Sequence, residues 1–222
     1  ACGPAAVEGP DDGVEHAVIV DHDGVERTLR DGFAFQYDDS TWSVVLTDFD
    51  DACERLTWWG FQEAELSALF LEGQSSDALF SEAIANTRAI WADEMGSAAP
   101  FTVWIDVAKH AAGPDTPVEL PGADTTSAWS DAVFWATAEV TGAPAFEQDL
   151  GARTWGPESG YEADSLGGTG SFTFSDGGAT GTLATRFRTD ALAQFDLETD
   201  FEVEACPSYE DALIAMHEAW TR

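Results

Sequence analysis

Cys53 and Cys206 are the residues whose type and placement point most directly to a chemical bond. They lie 206 − 53 = 153 positions apart, far from the ends of the chain. In an oxidising compartment two such thiols are expected to join; in a reducing one they would be two separate buried thiols. On the chain-entropy model, closing so long a loop contributes about 4–5 kcal/mol. A Cys–His nucleophile pair would need one of these thiols to stay reduced, against the export reading below. The four histidines, His16, His22, His110 and His217, show no H-x-H or H-E-x-x-H spacing, so zinc is not expected. No G-x-S-x-G elbow, P-loop or dinucleotide fingerprint occurs.

Carboxylates are abundant, so clusters of them arise by chance. Asp21 and Asp23 precede Gly24 and resemble the start of an acidic Ca²⁺ loop. The third acid before the glycine and the later bidentate glutamate are missing, so the reading is a solvated turn, with no cofactor expected. A carboxylate pair for glycoside hydrolysis is the alternative enzymatic reading, but no spacing singles out a pair. Among the nine tryptophans most sit in periodic segments and read as core. Trp129 and Trp155 lie in Gly/Pro/Ser-rich contexts, where an aromatic could stack on a sugar or peptide ligand.

The charge balance restricts partners. With 42 acidic against 9 basic residues the formal net charge is -33, and Lys109 is the sole lysine. Such a surface repels phosphate backbones and anionic lipid heads, so nucleic acid is not an expected partner. Self-repulsion weakens a fold at low ionic strength, and the screening length falls from roughly 30 Å at 0.01 M salt to about 3 Å at 1 M. A halophilic setting is therefore expected. No stretch approaches the ~20 apolar residues that span a bilayer.

Cys2 stands apart from the other two cysteines. It follows Ala1 and precedes Gly3, and residues 3–13 are rich in Gly, Pro and Asp without apolar periodicity. That run reads as a flexible tether, residues 1–13, ahead of one globular domain over 14–222. A small residue, a cysteine, a glycine and a tether resemble the end of a bacterial lipobox and the start of a mature lipoprotein. The resemblance implies a lipid on Cys2, with Ala1 a remnant of the precursor, and an extracytoplasmic protein held to the membrane by its lipid alone.

The elements that must position these residues begin with strands at 16–20 and 25–29 around an Asp-His-Asp-Gly turn. Asp31-Gly32 reads as a further turn before a strand at 33–37, and Trp42–Thr47 as a strong β-branched strand. Asp51-Ala52-Cys53-Glu54 fits a capping box, opening a short helix that Gly60 would end. Residues 62–72 fit either helix or strand. Apolar residues at three- and four-residue steps predict a helix over 77–95. Strands are expected at 101–107 and 132–141, with loops over 111–130 and 142–170. A hairpin follows, strands 171–174 and 181–188 about Asp176-Gly177-Gly178. Phe195–Ala205 alternates into a strand running to Cys206, and a terminal helix presents Tyr209, Leu213, Met216, His217 and Trp220 on one face.

Two segments carry a resemblance. Phe33-Ala34-Phe35-Gln36-Tyr37 with Val44 through Cys53 is similar to the front of a group of myxobacterial-type envelope lipoproteins. In that group a strand ends in an acidic turn and a cysteine opens a short helix. Gly170–Phe174, Gly181–Leu183 and Phe201–Cys206 match its closing Gly-rich hairpin and cysteine-ended strand. The match covers about a third of the chain and departs over 62–96 and after Cys206. It implies export and the disulfide, and no catalytic residue. The reading is an α+β fold, mainly an antiparallel β sandwich or partial barrel with inserted helices and a C-terminal helix. The function expected is that of a non-enzymatic envelope lipoprotein binding an unidentified envelope or extracellular ligand.

Overall fold

The computed structural model describes residues 18–20, 26–37, 41–71, 82–83, 85–87, 89, 101–108, 118–120, 136–142, 145–149, 154–158, 161–189 and 194–221. Strands β1 (Val18–Val20) and β2 (Glu26–Thr28) form a small antiparallel pair. Then come β3 (Asp31–Gln36), β4 (Thr41–Thr47) and helix α1 (Ala52–Leu71). Helical residues recur between 82 and 89, inside the segment whose periodicity predicts a helix. Strands β5 (Phe101–Ala108), β6 (Val118–Leu120), β7 (Ala136–Gly142), β8 (Ala145–Asp149) and β9 (Thr154–Glu158) follow. The chain closes with β10 (Tyr161–Ser175), β11 (Gly178–Thr189), β12 (Gln194–Ala205) and helix α2 (Pro207–Thr221).

Strand pairing runs β11-β12-β3-β4-β5-β7-β10 and returns to β11, so the sheet is nearly closed and barrel-like. All these links are antiparallel except β12–β3, a parallel seam of two residue pairs, Glu204↔Phe33 and Ala205↔Ala34. Of the two expected architectures, the partial barrel is the one formed. Closure removes the exposed edges that an open sheet of this size would have to protect.

Apolar side chains fill the inside. Phe172, Leu183, Phe187, Leu197, Phe101 and Ile105 belong to one buried cluster contributed by β10, β11, β12 and β5. In β5 and β12 alternate residues point inward, and the intervening ones face outward. β3 and β4 break this alternation because both their faces are covered. Val44 and Leu46 point into the barrel, while Val45, Phe33 and Phe35 pack outward beneath the helices. Double coverage is why WSVVLT reads as a continuous apolar run.

The helices sit on that outer face. Tyr209 of α2 places its ring 5.0 Å from those of Phe33 and Phe35 and 6.1 Å from Trp104. Burying one such aromatic contributes about 1.5–3 kcal/mol, so this cluster anchors α2 to the strands. The same cluster includes Cys206 and Ala52, the residues at the starts of the two helices.

Several local expectations fail for tertiary reasons. Asp31-Gly32 is no turn; both residues lie in β3. Gly60 does not end the first helix, which continues to Leu71. A Cβ on Gly60 would stand 2.9 Å from Ala212 Cβ, so the glycine is where α1 and α2 cross closely. The ambiguous residues after it are therefore helical through 71 because α2 supplies a partner face. Of the loop expected over 142–170, β8, β9 and the first half of β10 are strands, and the loop over 111–130 contains β6. On α2 the buried positions are Tyr209, Ala212 and Ala219, with Leu213 and Met216 half-buried. His217 is exposed, off the face assigned to it.

Asp51 holds the cap position of α1, its carbonyl accepting from the Arg55 N–H at 3.0 Å. At φ 58° its own side chain is turned out to solvent, however. The side chain that caps α1 is Asp31, twenty-one residues upstream. Its Oδ2 accepts from the Ala52 N–H and its Oδ1 from the Gly32 N–H, both at 2.7 Å.

Candidate functional site

Cys53 and Cys206 are bonded, with Cα atoms 5.8 Å apart. The bond ties the first turn of α1 to the residue before α2, so both helices start from one covalent point. Cys2, Trp129, Asp21 and Asp23 lie outside the described residues. Trp155, expected in a loop, belongs to β9 and pairs with Gln148 of β8. Among the described residues no group of three or more His, Cys, Asp or Glu side chains is placed to hold a metal ion. Nor is any helix among them long and apolar enough to cross a membrane.

The helices cover the β3–β5 side of the barrel and leave the outer face of β11 and β12 in solvent. The local sequence builds that face in two steps. Asp176-Gly177 makes a two-residue turn, and Gly178 follows at φ +142, where a Cβ would strike the Val203 carbonyl. That turn joins β10 to β11, and β11 in turn pairs with β12 in unbroken register, Gly178↔Glu204 through Arg188↔Gln194. Strict alternation along β12 turns Phe195, Leu197, Thr199, Phe201 and Val203 inward. The residues between them, Asp196, Glu198, Asp200, Glu202 and Glu204, are exposed. Successive members of this carboxylate row stand about 7 Å apart along the strand.

Arg186 closes one end of the row. Its Nε and Nη2 donate to the two carboxylate oxygens of Asp196 at 2.6 and 3.0 Å. That bidentate hydrogen bond holds the Asp196 carboxyl below the usual carboxylate range, and raises the Arg186 guanidinium above its own. Ala184, Thr182, Thr180 and Gly178 stand opposite the other four acids, and none of them carries a positive charge. Beside the pair a bulge between Ser165 and Gly167 breaks the β10–β11 register. A groove of about 640 Å³ opens there, lined by Leu166, Gly167, Ala184, Arg186, Asp196 and Glu198 among others. This groove combines the apolar Leu166, a fixed ion pair and a carboxylate, Glu198, with no cation facing it on β11. Neither the hairpin's polar face nor the bulge was singled out by motif; strict alternation of acids along 196–204 was the available signal.

Two carboxyls elsewhere are raised by burial. Asp48 is desolvated, although it accepts from the Phe101 N–H at 2.8 Å and from Arg27 Nη1 at 3.1 Å. Those bonds tie β5 and β2 to the turn after β4, a structural task. Glu63 of α1 is raised by desolvation alone, and its charge bears on Tyr209, whose phenol is pushed far up by burial. A third carboxylate, Asp106, accepts from Ser43 Oγ at 2.5 Å and from Trp104 Nε1 at 2.9 Å. The described contacts of Asp48 and Asp106 are thus fixed internal bonds.

Comparison with known proteins finds no family model that matches the chain, and no match among curated proteins or solved structures.

Proposed function

We propose that the protein is a non-enzymatic binding module, held at the outer side of a cell membrane by a lipid on Cys2. It engages an extracellular or envelope partner through the β11–β12 face. The observation that carries this reading is the groove beside Arg186 and Asp196, continued by four carboxylates without a facing cation on β11. The apolar filling of the barrel supports it too, because function then falls to the outer surface rather than to an enclosed cavity. Charge selects the partner chemistry. A ligand presenting amines or guanidinium groups would meet Glu198, Asp200, Glu202 and Glu204, and its apolar part would meet Leu166.

Binding of a lysine-rich peptide, compared with a glutamate-rich one, tests the face. The variant Glu198→Gln/Asp200→Asn/Glu202→Gln/Glu204→Gln is expected to weaken lysine-peptide binding at least tenfold at 0.15 M NaCl. A control, Glu54→Gln/Glu65→Gln/Glu82→Gln/Asp211→Asn, removes the same charge from exposed helical positions. Equal loss in both variants would mean that net charge alone attracts the peptide, and the proposed face would be wrong. Intact mass of the protein from its native membrane fraction tests the anchor: a lipid-sized increment at Cys2 is expected, and an unmodified Cys2 would remove it.

A further inference from the structure

The Cys53–Cys206 bond sits in a setting with two unequal ends. Cys206 is fully buried, whereas Cys53 is only half-buried. Cys206 immediately precedes α2, and its carbonyl accepts from the Tyr209 N–H at 3.2 Å, which places it at the cap of that helix. Two hydroxyls reach its sulfur, Ser208 Oγ at 3.5 Å and Thr57 Oγ1 at 3.7 Å, and they lie 3.2 Å from each other. Ser208 Oγ is also 3.6 Å from Cys53 Sγ.

We propose that this disulfide is an exchange site for a small thiol, with Cys53 the sulfur attacked and Cys206 the sulfur released. Access selects Cys53, because an incoming thiolate meets the half-exposed end. Leaving-group chemistry selects Cys206. A thiolate there would accept from the Ser208 and Thr57 hydroxyls, which replace the water that burial removes. Exposed Asp51 and Glu54 flank Cys53 in the chain and disfavour a thiolate on that side. The sulfur with the lower pKa leaves faster, so both effects point the same way.

The step balances without any other reactant. A thiolate RS⁻ attacks Cys53 Sγ, the Cys53–Cys206 bond breaks, and the products are Cys53–S–S–R and the Cys206 thiolate. A second thiol attacking the mixed disulfide releases RSSR and leaves both cysteines reduced, two electrons having passed from the thiols to the protein. The helix pair need not separate for this, since α1 and α2 also meet at the Gly60–Ala212 crossing, and Tyr209 is packed on Phe33 and Phe35.

Reduced glutathione is the probe. Folded protein is incubated with it, acid-quenched at intervals and mapped by peptide mass spectrometry, beside the same protein unfolded in urea. The expected result is a glutathione adduct on Cys53, with Cys206 free to alkylation, forming within tenfold of the unfolded rate. An adduct on Cys206, or a folded protein inert while the unfolded one reacts, would overturn the proposal and leave the bond an inert staple. Ser208→Ala/Thr57→Val, which leaves both cysteines in place, is expected to slow adduct formation about tenfold. An unchanged rate would refute the assigned leaving group.

Discussion

Replacing Asp31 by Ala, beside replacing Asp51 by Gly, separates capping by tertiary contact from capping by local sequence. Asp31→Ala removes acceptors from the Ala52 and Gly32 N–H groups, each now served at 2.7 Å. Loss of a capping side chain costs about 1 kcal/mol, and loss of a negative charge at a helix N-terminus costs roughly 0.3–1 kcal/mol more. The expected sum is about 1–2 kcal/mol, equivalent to about 2–8 °C in a chain of this length. Asp51→Gly removes an exposed carboxylate that pairs with Arg55 at 4.0 Å, an ion pair worth little. It also relieves a left-handed φ of 58°, while giving the unfolded chain more freedom. Those effects nearly cancel, so a change within about 0.5 kcal/mol is expected. Both substitutions delete one negative charge, so any general relief of self-repulsion is common to the two. Urea denaturation followed by circular dichroism at fixed NaCl gives the comparison directly. An Asp51→Gly loss larger than that of Asp31→Ala would refute the assignment of the cap.

Gly60→Ala gains about 1 kcal/mol of helix propensity but must open the α1–α2 crossing. A net loss of about 1 kcal/mol is expected in denaturation, with Ala212→Gly in the same chain restoring stability. Ser67→Ala should stabilise by about 0.5–1 kcal/mol, since the Ser67 hydroxyl is buried with no partner among the described residues. Glu63→Gln is expected to raise stability near pH 7. Burial raises the folded-state pKa of Glu63, so its favourable contribution is complete below the unfolded value near 4.3 and is lost as pH rises through the folded one. The gain over wild type should therefore shrink to nothing in acid, and a gain independent of pH would contradict it. The melting temperature is expected to rise between 0.05 and 1 M NaCl at a formal net charge of -33; a flat profile would end the halophilic reading.

Residue order alone fixed whatever depends on near neighbours. Alternation along 195–203 placed one face of β12 inside the barrel, and Asp176-Gly177 set the hairpin that pairs β10 with β11. β-branched density marked β4, and two cysteines far from the chain ends pointed to the Cys53–Cys206 bond on the expectation of export. Tertiary contact decided the rest. Gly60 reads as a stop until α2 is laid against it, because a glycine ends a helix or admits a neighbour with the same absence of Cβ. The capping box at Asp51 gave way to Asp31 because a helix N–H takes the acceptor that reaches it in space, whatever the separation in sequence. The segment 142–170, rich in Gly and Pro, looked like loop, yet its strands are formed by pairing with β7, β11 and one another, partners that only closure of the sheet brings into reach. The groove has the same origin: Leu166 and Gly167 come from one strand, Arg186 from a second and Asp196 from a third, and no spacing along one chain announces where three strands meet.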